Sequence, residues 1–434
     1  MISRRTTILI ALAALPHLLP SQEPVLPGRL IPREAVAGDT AQHLAAYFPS
    51  SWDFNRRVPV LFVLDPRGRG ELALRLFAGA AERHGWLVVS SYNSASDQPT
   101  DPNVDALNAM LDWSQAHARI DTSRMYIAGF SGTSRVAWPL AHALHGKVAG
   151  IIGAGGAVGF SPSGPEMSFG ADSSFAFFGT AGTTDFNYSE MRDFATRLHN
   201  ARIPTRFVAF AGGHAWPPRA VAEQAVDWLE LRAMLGGRRP RDSVHVARTI
   251  AGDLAYADSL ERAGQWDAAE MRYREVALDV PSLHEGRAAL ARADELASRD
   301  ALRTLRKRVR ELDDDDAADL RREYLALASA RGARSPLSPE ELLDKLGVAS
   351  LRQRVASGDS LERSSAARRL SNVAAFISFY EPRAFLQQDQ PLRAAVSLRA
   401  AASIAPLRGE SCDLARRAAE RLPPDEARRL PPCS

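Results

Sequence analysis

The sequence predicts an α/β fold in its first half, a mostly parallel sheet with helices on both faces, followed by an all-α domain. Three observations predict this. Strand-like and helix-like segments alternate between residues 41 and 238, as in repeated βα units. A serine stands at a strand-to-helix turn in the segment 129–133. After residue 243 the chain is rich in Ala, Leu, Arg and Glu and shows almost no strand-like alternation.

The predicted elements follow one another in the order that a βα alternation requires. The run at 58–64 is continuously apolar, which is typical of a strand buried on both faces. The predicted strands are 58–64, 86–90, 124–130, 148–153, 175–178 and 205–210, and the predicted helices are 71–85, 104–120, 134–147, 189–202 and 217–235. In such sheets, ligands bind beyond the carboxyl ends of the strands.

Composition allows about two or three domains and excludes little else. The chain has 434 residues, of which 45% are hydrophobic and 24% are charged, with a formal net charge of +3. Basic residues form no stripe with interleaved aromatics, so no nucleic-acid partner is expected.

The N-terminus has the layout of a secretory signal peptide. Arg4 and Arg5 precede an apolar run at 8–19, which Pro16 interrupts. We therefore expect residues 1–21 to be removed on export to the periplasm or beyond the cell. A membrane anchor that is retained after export is the alternative. No other stretch is long enough to span a bilayer, so no membrane span is expected after signal removal.

The chain contains two cysteines, Cys412 and Cys433. Export would place them in an oxidising compartment, where they can pair or remain free. Neither has the neighbours of a metal site, and we expect no metal and no organic cofactor.

Three residues in separate segments predict nucleophilic catalysis. Ser131 stands at the tight turn, where small neighbours are needed because the backbone is strained. Asp185 and His214 follow later predicted strands, which gives the order Ser, Asp, His. Serine needs an adjacent base, and the base needs an acid to orient it. Each residue also has a non-catalytic alternative: Ser131 as a helix cap, Asp185 as a turn aspartate and His214 as a surface histidine.

An oxyanion requires backbone donors, and aromatic residues near the three positions suggest a pocket. Gly132, directly after the serine, is expected to supply one N–H. Arg67 is expected to supply the second, with Gly68 as the alternative, because Pro66 in the same loop has none. The aromatic residues nearest in sequence are expected to line an acyl or aromatic pocket, with plain packing as the alternative: Phe130, Phe186 and Trp216.

The second half carries a weaker pattern. Residues 236–242 resemble a linker, which gives domains at 22–238 and 243–434. The segment 253–281 resembles a tetratricopeptide repeat, with two helices joined at Gly264, and 384–406 echoes its latter half. A stable array needs about three repeats, so a generic helical extension is the alternative. The acidic run 313–316 is expected to begin a helix.

Residues 46–53, followed by the strand and loop at 58–70, resemble the opening of esterase D, feruloyl esterase and polyhydroxybutyrate depolymerase-like α/β-hydrolases. In that family Ser131 matches the nucleophile, Asp185 the acid and His214 the base. The family's oxyanion loop usually contains His-Gly, whereas this chain has Asp65-Pro66. The resemblance spans roughly residues 41–236 and implies activity on carboxylic esters.

Two functions follow as hypotheses. The first is an exported serine hydrolase that acts on a small-molecule or polymeric ester through an acyl-enzyme. The second is a hydrolase-fold binding protein of weak or no activity, whose helical half recruits a protein partner.

Overall fold

The computed structural model describes residues 26–96, 102–144, 146–158 and 175–433. The predicted signal segment 1–21 lies outside these residues. The strands are β1 (Leu30–Val36), β2 (Asp39–Tyr47), β3 (Val58–Leu64), β4 (Leu87–Ser91), β5 (Ile120–Phe130), β6 (Val148–Ala154), β7 (Ala176–Gly182) and β8 (Thr205–Phe210). They form one eight-stranded sheet in the order β1-β2-β4-β3-β5-β6-β7-β8. The pairings β1–β2 and β2–β4 are antiparallel and the others are parallel, which confirms the predicted mostly parallel sheet.

Six helices accompany the sheet and eleven follow it in the described chain. The first group is α1 (Gly70–Arg75), α2 (Ala78–His84), α3 (Asn103–His117), α4 (Gly132–Ala143), α5 (Tyr188–Asn200) and α6 (Arg219–Leu235). The second is α7 (Ser243–Arg262), α8 (Trp266–Asp279), α9 (His284–Ser298), α10 (Asp300–Gly332), α11 (Pro339–Lys345), α12 (Val348–Val355), α13 (Ser360–Ala375), α14 (Glu381–Gln387), α15 (Pro391–Ile404), α16 (Glu410–Ala419) and α17 (Pro424–Arg428). A short π-helical segment, Phe376–Tyr380, joins α13 to α14.

Both faces of the sheet are buried, which explains the continuous apolar run in β3. Leu61 and Val63 pack with α1, α2 and α6 on one face, and Val60 and Phe62 pack with α3, α4 and α5 on the other. Successive side chains of a strand point to opposite faces, so every residue of β3 is apolar and buried.

Two parts of the N-terminal half differ from the prediction. The segment 71–85 forms two short helices and not one: α1 ends at Arg75, α2 begins at Ala78, and the completely buried Phe77 lies between them. The antiparallel hairpin of β1 and β2 was not predicted, because polar residues interrupt its apolar alternation.

The first helices of the second half share a core with the sheet. Apolar side chains of α7 to α9 and the start of α10 belong to the same cluster as one face of the sheet. Arg206 of β8 is buried and donates to Asp253 at 2.6 Å and to Asp279 at 2.7 Å. Asp279 also accepts from the indole N–H of Trp228 at 3.0 Å. A separate core holds the helices from the end of α10 to α16.

The helical half agrees with the prediction in its secondary structure, while the repeat array stays a prediction. Helices α7 and α8 flank Gly264, which adopts a φ of 72°. The expectation for the acidic run is wrong: residues 313–316 lie in the middle of α10, which begins at Asp300. The helix starts earlier because residues 301–312 are themselves good helix formers.

Cys412 and Cys433 form a disulfide that joins α16 to the C-terminal segment. Of the two alternatives that the sequence left open, the structure therefore has the paired one. Within the described ranges, no helix combines the length and apolar character needed to cross a membrane.

Candidate active site

The turn between β5 and α4 holds its serine in a strained conformation. Strand β5 ends at Phe130 and α4 begins at Gly132, so Ser131 lies alone between them. Its φ of 56° and ψ of −124° are unfavourable for a residue with a side chain. The N–H of Ser131 donates to the carbonyl of Ala154 at 2.8 Å, which ties the turn to β6. The strain aims the hydroxyl outward from the carboxyl edge of the sheet.

Glycines around the turn are required by close approach. A Cβ at position 129 would lie 2.5 Å from the carbonyl oxygen of Thr133, and one at 132 would lie 2.3 Å from the Cβ of Ser96. A Cβ at position 156 would lie 2.4 Å from the carbonyl oxygen of Ser131. Any larger residue at these positions would force the turn to open.

Thr133 stands where the five-residue pattern ends in glycine, and it fixes the turn to the neighbouring strand. The side chain is fully buried, and its hydroxyl donates to the carbonyl of Leu64 at 2.6 Å. The same oxygen accepts from the N–H of Phe130 at 3.1 Å. The threonine therefore joins the end of β3 to the turn that presents Ser131.

The structure brings the three predicted residues together at hydrogen-bond distance. The Nε2 of His214 lies 2.9 Å from the Oγ of Ser131, and its Nδ1 lies 2.9 Å from the Oδ1 of Asp185. Asp185 is completely buried, and the N–H of Asn187 donates to the same carboxylate at 2.8 Å. These three side chains come from the ends of β5, β7 and β8, as the sequence predicts.

Two aromatic rings enclose the imidazole of His214. The ring centroids of Phe130 and Phe186 lie 4.7 Å and 4.3 Å from that of His214. Gly155, which the sequence analysis did not identify, packs against Asp185 and His214. A Cβ at this position would lie 2.9 Å from Asp185 Oδ2 and 3.3 Å from His214 Cε1. Its only sequence signal is the Gly-Gly that directly follows β6.

Asp65 has a structural role that the sequence did not reveal. It is completely buried at the end of β3, and it accepts from the N–H of Arg67 at 2.9 Å and of Arg69 at 3.2 Å. The guanidinium of Arg69 binds both of its oxygens, at 3.0 Å and 2.9 Å. The indole N–H of Trp216 donates to Oδ2 at 2.8 Å. Asp65 thus joins the loop after β3 to the loop that carries His214.

The hydrogen-bond partners of Asp65 keep its carboxyl group ionised. Burial by itself would raise the pKa of the carboxyl, but the hydrogen bonds from Arg69 and Trp216 and the charge of Arg69 outweigh it. The net result is a pKa below the ordinary value. Asp65 therefore remains an anion that organises two loops.

These bonds bear on two of the predicted site residues, Arg67 and Trp216. The N–H of Arg67 is directed at Asp65, and the N–H of Gly68 donates to the Asp65 carbonyl at 3.1 Å, so the loop does not offer Arg67 as a free oxyanion donor. An aspartate side chain that bonds its own backbone two residues on is a common turn device. Trp216, expected in the pocket, is almost buried, with its indole N–H bound to Asp65.

Among the described residues, no group of histidines, cysteines and carboxylates is arranged to hold a metal ion. The site offers instead a hydroxyl, a base in contact with it and a buried carboxylate behind the base. That arrangement can remove a proton from the hydroxyl as the oxygen attacks an electrophile.

Known proteins resemble this chain in fold over its first half. No protein-family model matches the chain, and no curated protein matches it significantly in sequence. A substrate-bound, fluorophosphonate-binding serine hydrolase F of Staphylococcus aureus is 16% identical, covers 47% of this chain and 98% of its own, and gives a TM-score of 0.36. A ferulic acid esterase is 14% identical over 47% of this chain and 98% of its own, with a TM-score of 0.38. The feruloyl esterase module of Clostridium thermocellum is 14% identical over 47% and 87%, with a TM-score of 0.35.

The N-terminal half has an α/β-hydrolase fold, and the C-terminal half is helical. The assignment follows from the mostly parallel sheet, the strained serine turn after β5 and the chain order of serine, aspartate and histidine.

Proposed function

We propose that this protein is a serine hydrolase that cleaves carboxylic esters through an acyl-enzyme on Ser131. The observation that carries the proposal is the pair of 2.9 Å contacts that link Ser131, His214 and Asp185. Geometry of this kind, with the serine at a strained turn, recurs in serine hydrolases of unrelated sequence.

Each of the three residues has a separate role in the proposed reaction. Nε2 of His214 takes the proton from the Ser131 hydroxyl as the Oγ attacks the ester carbonyl carbon. Asp185 holds Nδ1–H of the imidazole and stabilises the cation that forms, without taking its proton. His214 then gives the proton to the departing alkoxide, and the acyl group stays on Ser131. Water, activated by the same imidazole, attacks the acyl-enzyme and releases the carboxylic acid.

The tetrahedral oxyanion is stabilised at the start of α4. Gly132 is the first residue of that helix, so its N–H has no acceptor within the helix. The helix dipole adds favourable potential for a negative charge there. Because Arg67 donates to Asp65, we assign Gly132 alone as an oxyanion donor.

A hydrolase-fold binding protein remains the second candidate. The engagement of the Arg67 N–H by Asp65 favours it, because it removes a donor from the side of the loop where a second one is expected. In that case the helical half would supply the partner surface.

We also propose export, which the disulfide between Cys412 and Cys433 supports. Disulfides persist in oxidising compartments and are rare in the cytosol. The predicted signal segment 1–21 would direct the chain there. Mass spectrometry of the mature protein from its host would test this, because an N-terminus at or near residue 22 is expected.

A panel of chromogenic esters of increasing acyl length, with a peptide amide as comparison, tests the proposed activity. We expect ester hydrolysis to fall by several orders of magnitude in Ser131→Ala. Ser123→Ala is the matched control, because Ser123 is exposed and distant in the fold, at the start of β5. Undetectable hydrolysis of every ester by the folded wild-type protein would favour the binding function.

A further inference from the structure

A cavity of about 1000 Å³ lies between the hydrolase half and the helical half, and the proposed reaction does not use it. Helix α5 forms one wall, and α8, α10 and α13 form the others. Ser131 and His214 do not line it. Its volume is at the upper end of what small-molecule sites in proteins occupy.

One arginine in this cavity, Arg368, is partly buried and forms no ion pair within the part of the chain that the structure describes. The guanidinium of Arg368, on α13, lies 5.1 Å from the ring centroid of Tyr188, at the start of α5. In the described part of the chain it has no ion-pair or hydrogen-bond partner. A buried cation without a paired anion is costly, so such an arginine is rare without a reason.

The other charges on the wall are satisfied or face water. Arg192 pairs with Asp313 at 2.7 Å, and Arg306 pairs with Asp267 at 3.0 Å. The exposed rim residues Arg310 and Asp314 face solvent. Burial lowers the pKa of the Arg368 guanidinium, and its electrostatic interactions with Tyr188, Asp316 and Asp313 offset this only in part. Within the described residues, Arg368 therefore has no carboxylate at ion-pair distance.

An apolar strip runs along the same cavity. Leu305, Val309 and Leu312 are spaced four and three residues apart on α10, which places them on one face of that helix. Met271 of α8 and Leu361 of α13 extend the strip. The wall thus combines a partly buried, unpaired guanidinium with a surface suited to an aliphatic chain.

We propose that this cavity binds a small amphipathic carboxylate, whose anionic group pairs with Arg368 above Tyr188 and whose aliphatic body lies on Leu305, Val309 and Leu312. Guanidinium groups bind carboxylates in a planar, two-pronged geometry, and stacking on an aromatic ring leaves the edge of the guanidinium free for that contact. The bound ligand would join α5, which begins three residues after Asp185, to the helical half. The proposal does not depend on the ester hydrolysis proposed above.

Titration calorimetry of the full chain with octanoate tests the proposal. The titrations use Ser131→Ala, so that turnover and acyl-enzyme formation play no part. We expect saturable binding of one octanoate, about tenfold or more weaker after Arg368→Met, because one charge-assisted contact is lost. Arg363→Met is the matched control: it removes the same charge from an exposed site on α13 outside the cavity, and binding should not change.

Two further ligands separate the roles of charge and chain. Octan-1-ol lacks the carboxylate group and acetate lacks the long aliphatic chain, so each should bind far more weakly than octanoate. No saturable octanoate binding below the micelle-forming concentration, equal binding of octanol, or equal affinity in Arg368→Met would each overturn the proposal. If acetate bound as tightly as octanoate, the cavity would be a site for a small anion alone, which would contradict the role of the apolar strip.

A second variant covers the case in which Arg368→Met fails to fold. Val309→Glu places a carboxylate on the apolar strip at a partly exposed position, where a change of stability is tolerated best. It should abolish octanoate binding while the circular dichroism spectrum stays that of the parent. Unchanged binding in folded Val309→Glu would contradict the proposal by itself.

Discussion

Replacing Asp65 with asparagine should destabilise the hydrolase half, because no orientation of an amide suits the donors around this side chain. Oδ2 accepts from Trp216 and from Arg69, and Oδ1 accepts from two backbone N–H groups and from Nε of Arg69. An asparagine presents its NH₂ at one of these two positions. Whichever way it turns, at least two donors lose their acceptor and face another donor.

The size of the destabilisation depends on which of these donors can hydrogen-bond to water once the carboxylate is replaced. Arg69 has 39% of its side chain exposed, so its guanidinium turns to solvent at small cost. When the amide nitrogen takes the position of Oδ2, the indole N–H of Trp216, which is only 9% exposed, stays buried without a partner. When it takes the position of Oδ1, the backbone N–H groups of Arg67 and Arg69 lose their acceptor. One hydrogen bond to a charged group contributes about 1.5–3 kcal/mol, and with the loss of the attraction to Arg69 we expect about 2–4 kcal/mol for Asp65→Asn.

Guanidinium denaturation followed by tryptophan fluorescence measures this change, with Asp53→Asn as the control. Asp53 also accepts from a backbone N–H two residues on, at 2.9 Å, but it is exposed, and its variant should change stability by about 0.5 kcal/mol or less. An Asp65→Asn variant as stable as Asp53→Asn would refute the role that we give to the buried carboxylate.

The difference in stability between wild type and Asp65→Asn should depend on pH in a defined direction. The pKa of Asp65 is lower in the folded chain than in the unfolded chain, where it is near 3.9. The carboxylate therefore stabilises the fold above the unfolded pKa, and this contribution is lost as pH falls through the folded pKa. The gap between wild type and Asp65→Asn should be constant above about pH 5 and narrow in stronger acid. A gap that widens in acid would contradict this assignment.

Three further changes have definite expected outcomes. Thr133→Val should lower the free energy of unfolding by about 1–3 kcal/mol and also lower kcat, because the Leu64 carbonyl loses its buried donor. Thr133→Ser should restore both the stability and kcat. A valine variant as stable as wild type would contradict this role of the hydroxyl. Arg206→Met should lower the free energy of unfolding in urea by about 3–5 kcal/mol, because the buried Asp279 and the partly buried Asp253 lose the guanidinium that joins them. An unchanged free energy of unfolding would refute that network. His214→Gln should lower ester kcat by several orders of magnitude with the fold intact by circular dichroism, and retained activity would exclude it as the base.

The architecture was predictable from local pattern because both faces of the sheet are buried. A strand such as β3 is then apolar throughout, and the strand-to-helix turn at Ser131 marks the carboxyl edge. The three residues that meet there were predictable for the same reason, since the ends of parallel strands meet at one edge. The β1–β2 hairpin escaped prediction because its polar residues blur the alternation on which such a prediction depends.

The roles of individual side chains in the loops were not predictable in the same way. The contact from Asp65 to Trp216 spans 151 residues, and nothing in the local sequence of either shows that they meet. Arg67 was expected to offer its N–H because the neighbouring Pro66 has none, whereas the Asp65 carboxylate accepts a hydrogen bond from that N–H. The cavity at Arg368 depends on how α13 packs against α5, which the helical pattern of either segment leaves undetermined.

The most direct test of the hydrolase account is reaction of the folded wild-type protein with a fluorophosphonate, followed by peptide mapping of the adduct. We predict one stoichiometric adduct on Ser131, slowed strongly in His214→Gln and absent in Ser131→Ala, because only a serine in contact with a base reacts at such a phosphorus centre. A folded protein that gains no adduct, or that carries it on another residue, would contradict the account.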